Sequence, residues 1–125
     1  MSRFSSNPTL EAGERIVWHD KAKLSLPGEA VGGTLYLTNC RLLHVPGRLS
    51  RGRQARAWRL QDITSVYGAQ ARDQTIYRDL RPDGGPLSRR VNVRLQDGSA
   101  VLFLIKRRDE ALAELQRGTS PQHSA

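Results

Sequence analysis

Cys40 and His44 are the residues of this chain best suited to covalent chemistry, because a thiol beside an imidazole base makes a nucleophile. Their spacing speaks against it. Four residues along an extended strand separate two side chains by roughly 13 Å, far beyond hydrogen-bond reach, and Cys40 in a tight turn reads as inert. With His19 the two could meet across strands as metal ligands, yet no Cys-x-x-Cys or similar ligand spacing is present, so neither a metal nor a cofactor is expected. Gly28, Gly32 and Gly33 lack the Gly-Lys-Ser/Thr ending of a phosphate cradle and open no helix, which leaves them as turn glycines. Glu14 with Asp62, or Asp20 with Asp62, would supply paired carboxylates, but no spacing holds either pair together. Asp62 is read as satisfying backbone donors at a strand break. A Gly-x-Ser-x-Gly elbow, a His-Glu-x-x-His helix and a Rossmann glycine run are all missing, so no catalytic residue is assigned and the chain is not read as an enzyme.

Charge is the stronger signal. Lysine and arginine total 20 against 12 acidic residues, a net charge of +8. Only Lys21, Lys23 and Lys106 of these are lysine. Such a field attracts nucleic acid, an anionic membrane face or an acidic protein. The cations concentrate between Gly47 and Arg59, where Arg48, Arg51, Arg53, Arg56 and Arg59 follow one another. In an antiparallel meander this loop leaves the sheet at the same end as the Lys23–Gly33 turn. The candidate anionic-ligand residues are therefore Lys23, Arg48, Arg51, Arg53 and Arg56. Near an anionic bilayer each is worth ~1 kcal/mol, on the order of 5 kcal/mol together, which is weak and reversible binding. Leu49 is the one apolar side chain there able to insert. The bland alternative is a solvated basic loop with no ligand. Nucleic acid is the less favoured use, because single-strand binders need exposed aromatic platforms. Trp18, Trp58 and Phe103 fall on inward faces, leaving Tyr36 and Tyr77 outside. A second basic group, Arg81, Arg89 and Arg90, is explained as well by a solvated hairpin.

These loops must hang on a scaffold, and 125 residues suffice for one core that buries roughly 65% of the unfolded surface. No apolar run reaches the length of a membrane span. Met1 to Thr9 carries no signal-like apolar stretch and the single cysteine builds no internal disulfide, so the expected address is cytoplasmic, peripheral at the inner membrane face if the basic loop meets lipid. Residues 1–9 and 118–125 read as disordered tails around a domain at 10–117. Within it the apolar period is two, which predicts strands at Arg15–Leu26, Thr34–Thr38, Arg41–Val45, Ala55–Leu60, Ile63–Tyr67, Thr75–Leu80, Arg89–Leu95 and Ala100–Lys106. Asp97-Gly98 signals a hairpin. The last strand is apolar on both faces and needs cover on both sides. That cover is expected from the only helix, Asp109–Arg117, with Asp109 as N-cap, Gly118 just past its end, and an apolar stripe of Ala111, Leu112 and Leu115.

Leu10, Gly13 and Glu14, then Gly33-Thr34-Leu35-Tyr36-Leu37-Thr38-Asn39 followed by Arg41-Leu42-Leu43, resemble the opening strands of the GRAM and bacterial PH-like domains. Leu60, Asp62-Ile63, Val66, Asp97-Gly98 and Phe103 are similar to later landmarks of that family, and His44 stands where it usually has an aromatic. The resemblance implies a mainly β fold: a PH-like, seven-stranded, partly open antiparallel barrel or two orthogonal sheets, capped by one C-terminal α-helix. It also implies a non-enzymatic binding module used for lipid headgroups, for peptides or for assembly. The expected partner is an anionic phospholipid or membrane surface, with a protein partner or homo-oligomer as the alternative.

Overall fold

The period-two alternation does fold into strands. In a computed structural model the described residues are 8–48, 53–68 and 89–119. They form strands β1 (Ile16–Lys21), β2 (Lys23–Leu26), β3 (Glu29–Val31), β4 (Gly33–Thr38), β5 (Arg41–Pro46) and β6 (Arg56–Arg59), followed by a single 3-10 turn at Leu60–Asp62. Strands β7 (Ile63–Gly68), β8 (Arg90–Leu95) and β9 (Ala100–Leu104) lead to helix α1 (Arg108–Thr119). The expected strand Thr75–Leu80 lies outside the described residues, as do Leu49, Arg51, Tyr77 and Arg81 and most of both expected tails.

Among the described residues every strand pairing is antiparallel, and the strands divide into two sheets ordered β1-β4-β5-β6 and β3-β2-β9-β8-β7. The fold is mainly β with one C-terminal helix, in the two-sheet form rather than a closed barrel. The long first strand is in fact two, because the chain passes from one sheet to the other at Ala22, whose amide donates to the Gly33 carbonyl at 3.0 Å. The return passage, from β3 to β4, happens at Gly32–Gly33. A Cβ on Gly33 would lie 2.2 Å from the Val45 carbonyl oxygen, so only glycine fits that corner.

Both sheets and the helix close on one core: Leu35, Leu37 and Leu42 from the first, Leu24, Val93 and Phe103 from the second, Ala111 and Leu115 from α1. Trp58 stands edge-on to Phe103 at 5.7 Å. Ile16, at the start of β1, is 38% exposed. In β9, Phe103 and Leu104 are buried, as is Ile105 just beyond, while Ala100 is exposed, so double cover holds only for the second half. The helix lies chiefly against β7, and Gln116 Nε2 donates to the Val66 carbonyl at 2.8 Å. It begins at Arg108, which puts Asp109 in the first turn rather than at the cap. It runs to Thr119, so Gly118 lies inside it, where a Cβ would meet Leu37 Cδ2 at 2.6 Å. Full burial of Leu115 alone is worth about 2–3 kcal/mol, enough to hold a helix of this length that would be marginal alone in water.

Candidate functional site

The β2–β3 hairpin and the start of β6 meet over a cavity of about 380 Å³. Its floor is Leu24, Leu26, Val31 and His44; Arg53, Gln54 and Arg56 stand around its mouth. Strand geometry explains the division. His44 is the register partner of Arg56, and Arg56 shares a strand face with Trp58 two residues on. Trp58 therefore plugs the core while Arg56, on the same inward face, reaches the opening. Gly28, with φ +80°, turns the hairpin in a conformation that favours glycine. At the head of β3, Glu29 Oε2 accepts a hydrogen bond from Arg53 Nη2. The Gly47 amide donates to the Gly32 carbonyl at 3.0 Å, tying the β5 end to the same corner.

The five expected site residues are not all brought together. Arg53 and Arg56 line the mouth, and Arg48 is exposed at the end of the segment that leaves β5. Arg51 lies outside the described residues. Lys23 is exposed on the face of β2 opposite Leu24, which turns it away from the cavity.

His44 is 1% exposed, and its Nε2 lies 3.0 Å from the Ala22 carbonyl oxygen. Burial pushes its pKa below the ordinary imidazole value, the Ala22 hydrogen bond partly offsets this, and the Arg56 charge adds to the depression. The imidazole is a neutral structural donor, committed to a backbone carbonyl rather than to Cys40.

Cys40 belongs to a different network. Its Sγ lies 3.3 Å from Glu14 Oε2, an oxygen that also accepts from Thr38 Oγ1 at 2.6 Å and Arg41 Nε at 2.8 Å. Glu14 Oε1 accepts from Arg41 Nη2 at 2.9 Å and from the Glu11 amide at 2.9 Å. Hydrogen bonds from Arg41 above all hold the Glu14 carboxyl well below the usual carboxylate range, against the desolvation of its burial. Glu11, Glu14 and Cys40 offer ligand atoms within 4.8 Å of one another. With both Glu14 oxygens engaged, a cation would have to displace the Arg41 guanidinium, so the donor set suits an ion pair better than a metal. The Glu14 carboxylate is thus engaged by Arg41, Thr38 and the Glu11 amide rather than by Asp62, and the Asp62 carbonyl, not its exposed side chain, accepts the Gln96 amide at 2.8 Å.

Tyr36, expected to face outward, is 8% exposed and packs on His19 at 5.6 Å between ring centroids. Arg90, expected in a solvated hairpin, is buried. A second basic cavity, also about 380 Å³, was not legible from sequence: Arg89, Lys106, Arg107 and Arg108 line it beside Asp109 and Glu110. The Ile105 amide donates to the Arg89 carbonyl at 2.8 Å, which sets residue 89 beside the 106–108 run. The run Lys106-Arg107-Arg108 was the signal available.

No protein-family model matches the chain, and no curated protein matches it. Solved structures do. It is similar to the Vps36 N-terminal PH domain, with TM-score 0.66 and 17% identity over 94% of this chain and 88% of that one. The fold is PH-like. The DH/PH domains of p115-RhoGEF share it with TM-score 0.62 and 12% identity, over 90% of this chain and 32% of that one. So does the C-terminal domain of an unknown protein from Leishmania infantum, at TM-score 0.65 and 13% identity, over 86% of each chain. At these identities the likeness is one of PH-like architecture.

Proposed function

We propose that this PH-like domain is a non-enzymatic module of the GRAM type that docks on an anionic phospholipid surface through the mouth formed by Arg53 and Arg56, with the other arginines of the same stretch of sequence, Arg48 and Arg51, adding charge. One observation carries the reading: two guanidinium groups, Arg56 at the first position of β6 and Arg53 just before that strand, converge on a cavity whose floor is already filled by the core. A shallow, cation-rimmed recess suits a headgroup, and arginine forks match phosphate oxygens. The alternative, a protein-interaction or homo-oligomerising module, receives less support. Among the described residues, the outer strands that could add a partner strand are short, bulged or charged: β3 has three residues, β1 carries an irregularity between Ile16 and Trp18, and β6 bears Arg56 and Arg59. The seam between α1 and the sheet, where a peptide would have to enter, is filled by Ala111 and Leu115. Nucleic acid lacks an exposed aromatic platform among the described residues.

Vesicle co-sedimentation tests the reading. Wild-type protein should bind phosphatidylcholine vesicles doped with acidic lipid and leave pure phosphatidylcholine alone. Arg53→Ala with Arg56→Ala should weaken binding about thirtyfold, at ~1 kcal/mol per cation. Lys106→Ala with Arg107→Ala removes the same charge from the other cavity and should cost less than about threefold. Equal losses would reduce the effect to net charge and remove the site.

A further inference from the structure

One row of apolar side chains is buried away from the core. Tyr36, Leu43 and Ala57 are linked by register across β4, β5 and β6, and strand alternation turns Tyr36 and Leu43 to the face opposite Leu35, Leu37 and Leu42. Leu43 is nevertheless only 4% exposed. A cavity of about 230 Å³ lies on this outer face, lined by Leu43, Val45, Ala57 and Arg56 together with Pro8 and Thr9 of the segment before β1. Arg41 holds that segment down, its Nη2 donating to the Thr9 carbonyl at 2.8 Å and to Glu14 Oε1 at 2.9 Å. The described chain therefore begins, at Pro8, on the rim of the cavity, and Met1–Asn7 join it there.

We infer that the outer face of β4, β5 and β6 is the docking groove of this chain's own N-terminal segment, Met1–Asn7, and that Phe4 fills the cavity between Leu43, Val45 and Ala57. Reach, size and chemistry agree. Four residues of extended chain span about 13 Å, and Leu43 and Val45 are about 7 Å apart along their strand, so Phe4 reaches across the cavity from Pro8. A cavity of about 150 Å³ admits benzene, so this one has room for a phenyl ring. Phe4 is the one aromatic of the seven residues, and Ser2, Arg3, Ser5, Ser6 and Asn7 are left to water. The tether decides the occupant. With Thr9 fixed by Arg41, Phe4 meets the cavity at an effective concentration in the millimolar range, which a separate protein or a second copy at lower concentration has to outcompete. Ordering residues 4–7 offsets much of what the ring gains, so the segment is a strap that opens and closes rather than a permanent part of the sheet. The inference is independent of what binds at the mouth, although Arg56 lines both cavities.

Proton NMR on the full chain tests it. The Phe4 ring should give NOEs to the methyl groups of Leu43 and Val45 and shift their resonances upfield. Phe4→Ala should abolish those shifts, leave the methyls where a chain lacking residues 2–7 has them, and lower the melting temperature by about 3 °C. Phe4→Leu should lose the ring-current shift yet melt with the wild type, because its side chain still fills the cavity. Shifts that are independent of protein concentration and vanish in Phe4→Ala support the inference. Methyl resonances that Phe4→Ala leaves unmoved overturn it and leave the face to a partner. Shifts that grow with protein concentration also overturn it, in favour of segments exchanged between copies.

Discussion

Glu14 grips Arg41 with both carboxylate oxygens, Nε to Oε2 at 2.8 Å and Nη2 to Oε1 at 2.9 Å, and its side chain is 1% exposed. The pair joins the segment before β1 to the β4–β5 turn, where Asn39 repeats the join by accepting the Arg15 amide at 2.9 Å and donating to the Gly13 carbonyl at 3.3 Å. The string that carries the family resemblance, from Gly13-Glu14 to Thr38-Asn39-x-Arg41, is thus a structural clasp and not part of the cationic mouth.

Glu14→Gln should therefore lower unfolding free energy by about 3 kcal/mol, the low end for breaking a buried pair, because Arg41 keeps some contact with water. In the wild type the carboxyl's depressed pKa makes its stabilisation complete above the ordinary value of 4.5 and lost as pH falls below it. Urea melts across the acid range should show that decline in the wild type and a flatter profile in the variant. Matching profiles would mean the clasp contributes nothing.

Gly33→Ala should be among the most damaging small substitutions. The added Cβ would meet two backbone atoms, Val45 O at 2.2 Å and Pro46 Cα at 2.8 Å, and neither can swing aside as a side chain could. A loss of about 3 kcal/mol or more is expected. Gly47→Ala, whose Cβ would find nothing nearer than 3.8 Å, is the matched control and should stay within about 1 kcal/mol of wild type in thermal melts.

Most strands were legible because inward and outward residues alternate without a break. That continuity also hid the sheet change at Ala22: Trp18, Ala22, Leu24 and Leu26 keep one inward side through the bend, and the corner is marked only by Gly33 on the neighbouring strand. Gly118 reads as a helix stop by residue type, yet Leu37 fills the space its side chain would need. Arg90 looked solvated because its charge said so and its strand position said otherwise. At the site, Arg53 and Arg56 were visible as a loop cluster. Lys23 joined them only by ignoring the alternation that places it opposite Leu24, and Glu29 was missed because β3 read as part of a turn.

His44 should give the protein a mild sensitivity to acid. Burial disfavours its protonated form, so the unfolded chain takes up the proton first: stability is complete above the ordinary value of 6.5 and declines as pH drops through it. The slope from one such group is at most about 1.4 kcal/mol per pH unit. His44→Gln keeps a donor for the Ala22 carbonyl and does not titrate, so its denaturant midpoint should lose this component between about pH 7 and about pH 5. An unchanged slope would assign the acid sensitivity elsewhere.

Binding at the mouth should be dominated by charge, since its apolar floor is already part of the core: Leu24 is 2% and Val31 5% exposed, leaving little hydrocarbon for a lipid chain to cover. Attraction between exposed charges fades as the screening length drops from about 10 Å at about 0.1 M salt to about 3 Å at about 1 M. Partition onto acidic vesicles should accordingly weaken by about tenfold or more across that range, and more gently for the Arg53→Ala, Arg56→Ala variant, which has fewer charges to screen. Partition that persists at the high-salt end would show that apolar insertion, and not the arginine pair, holds the domain at the surface.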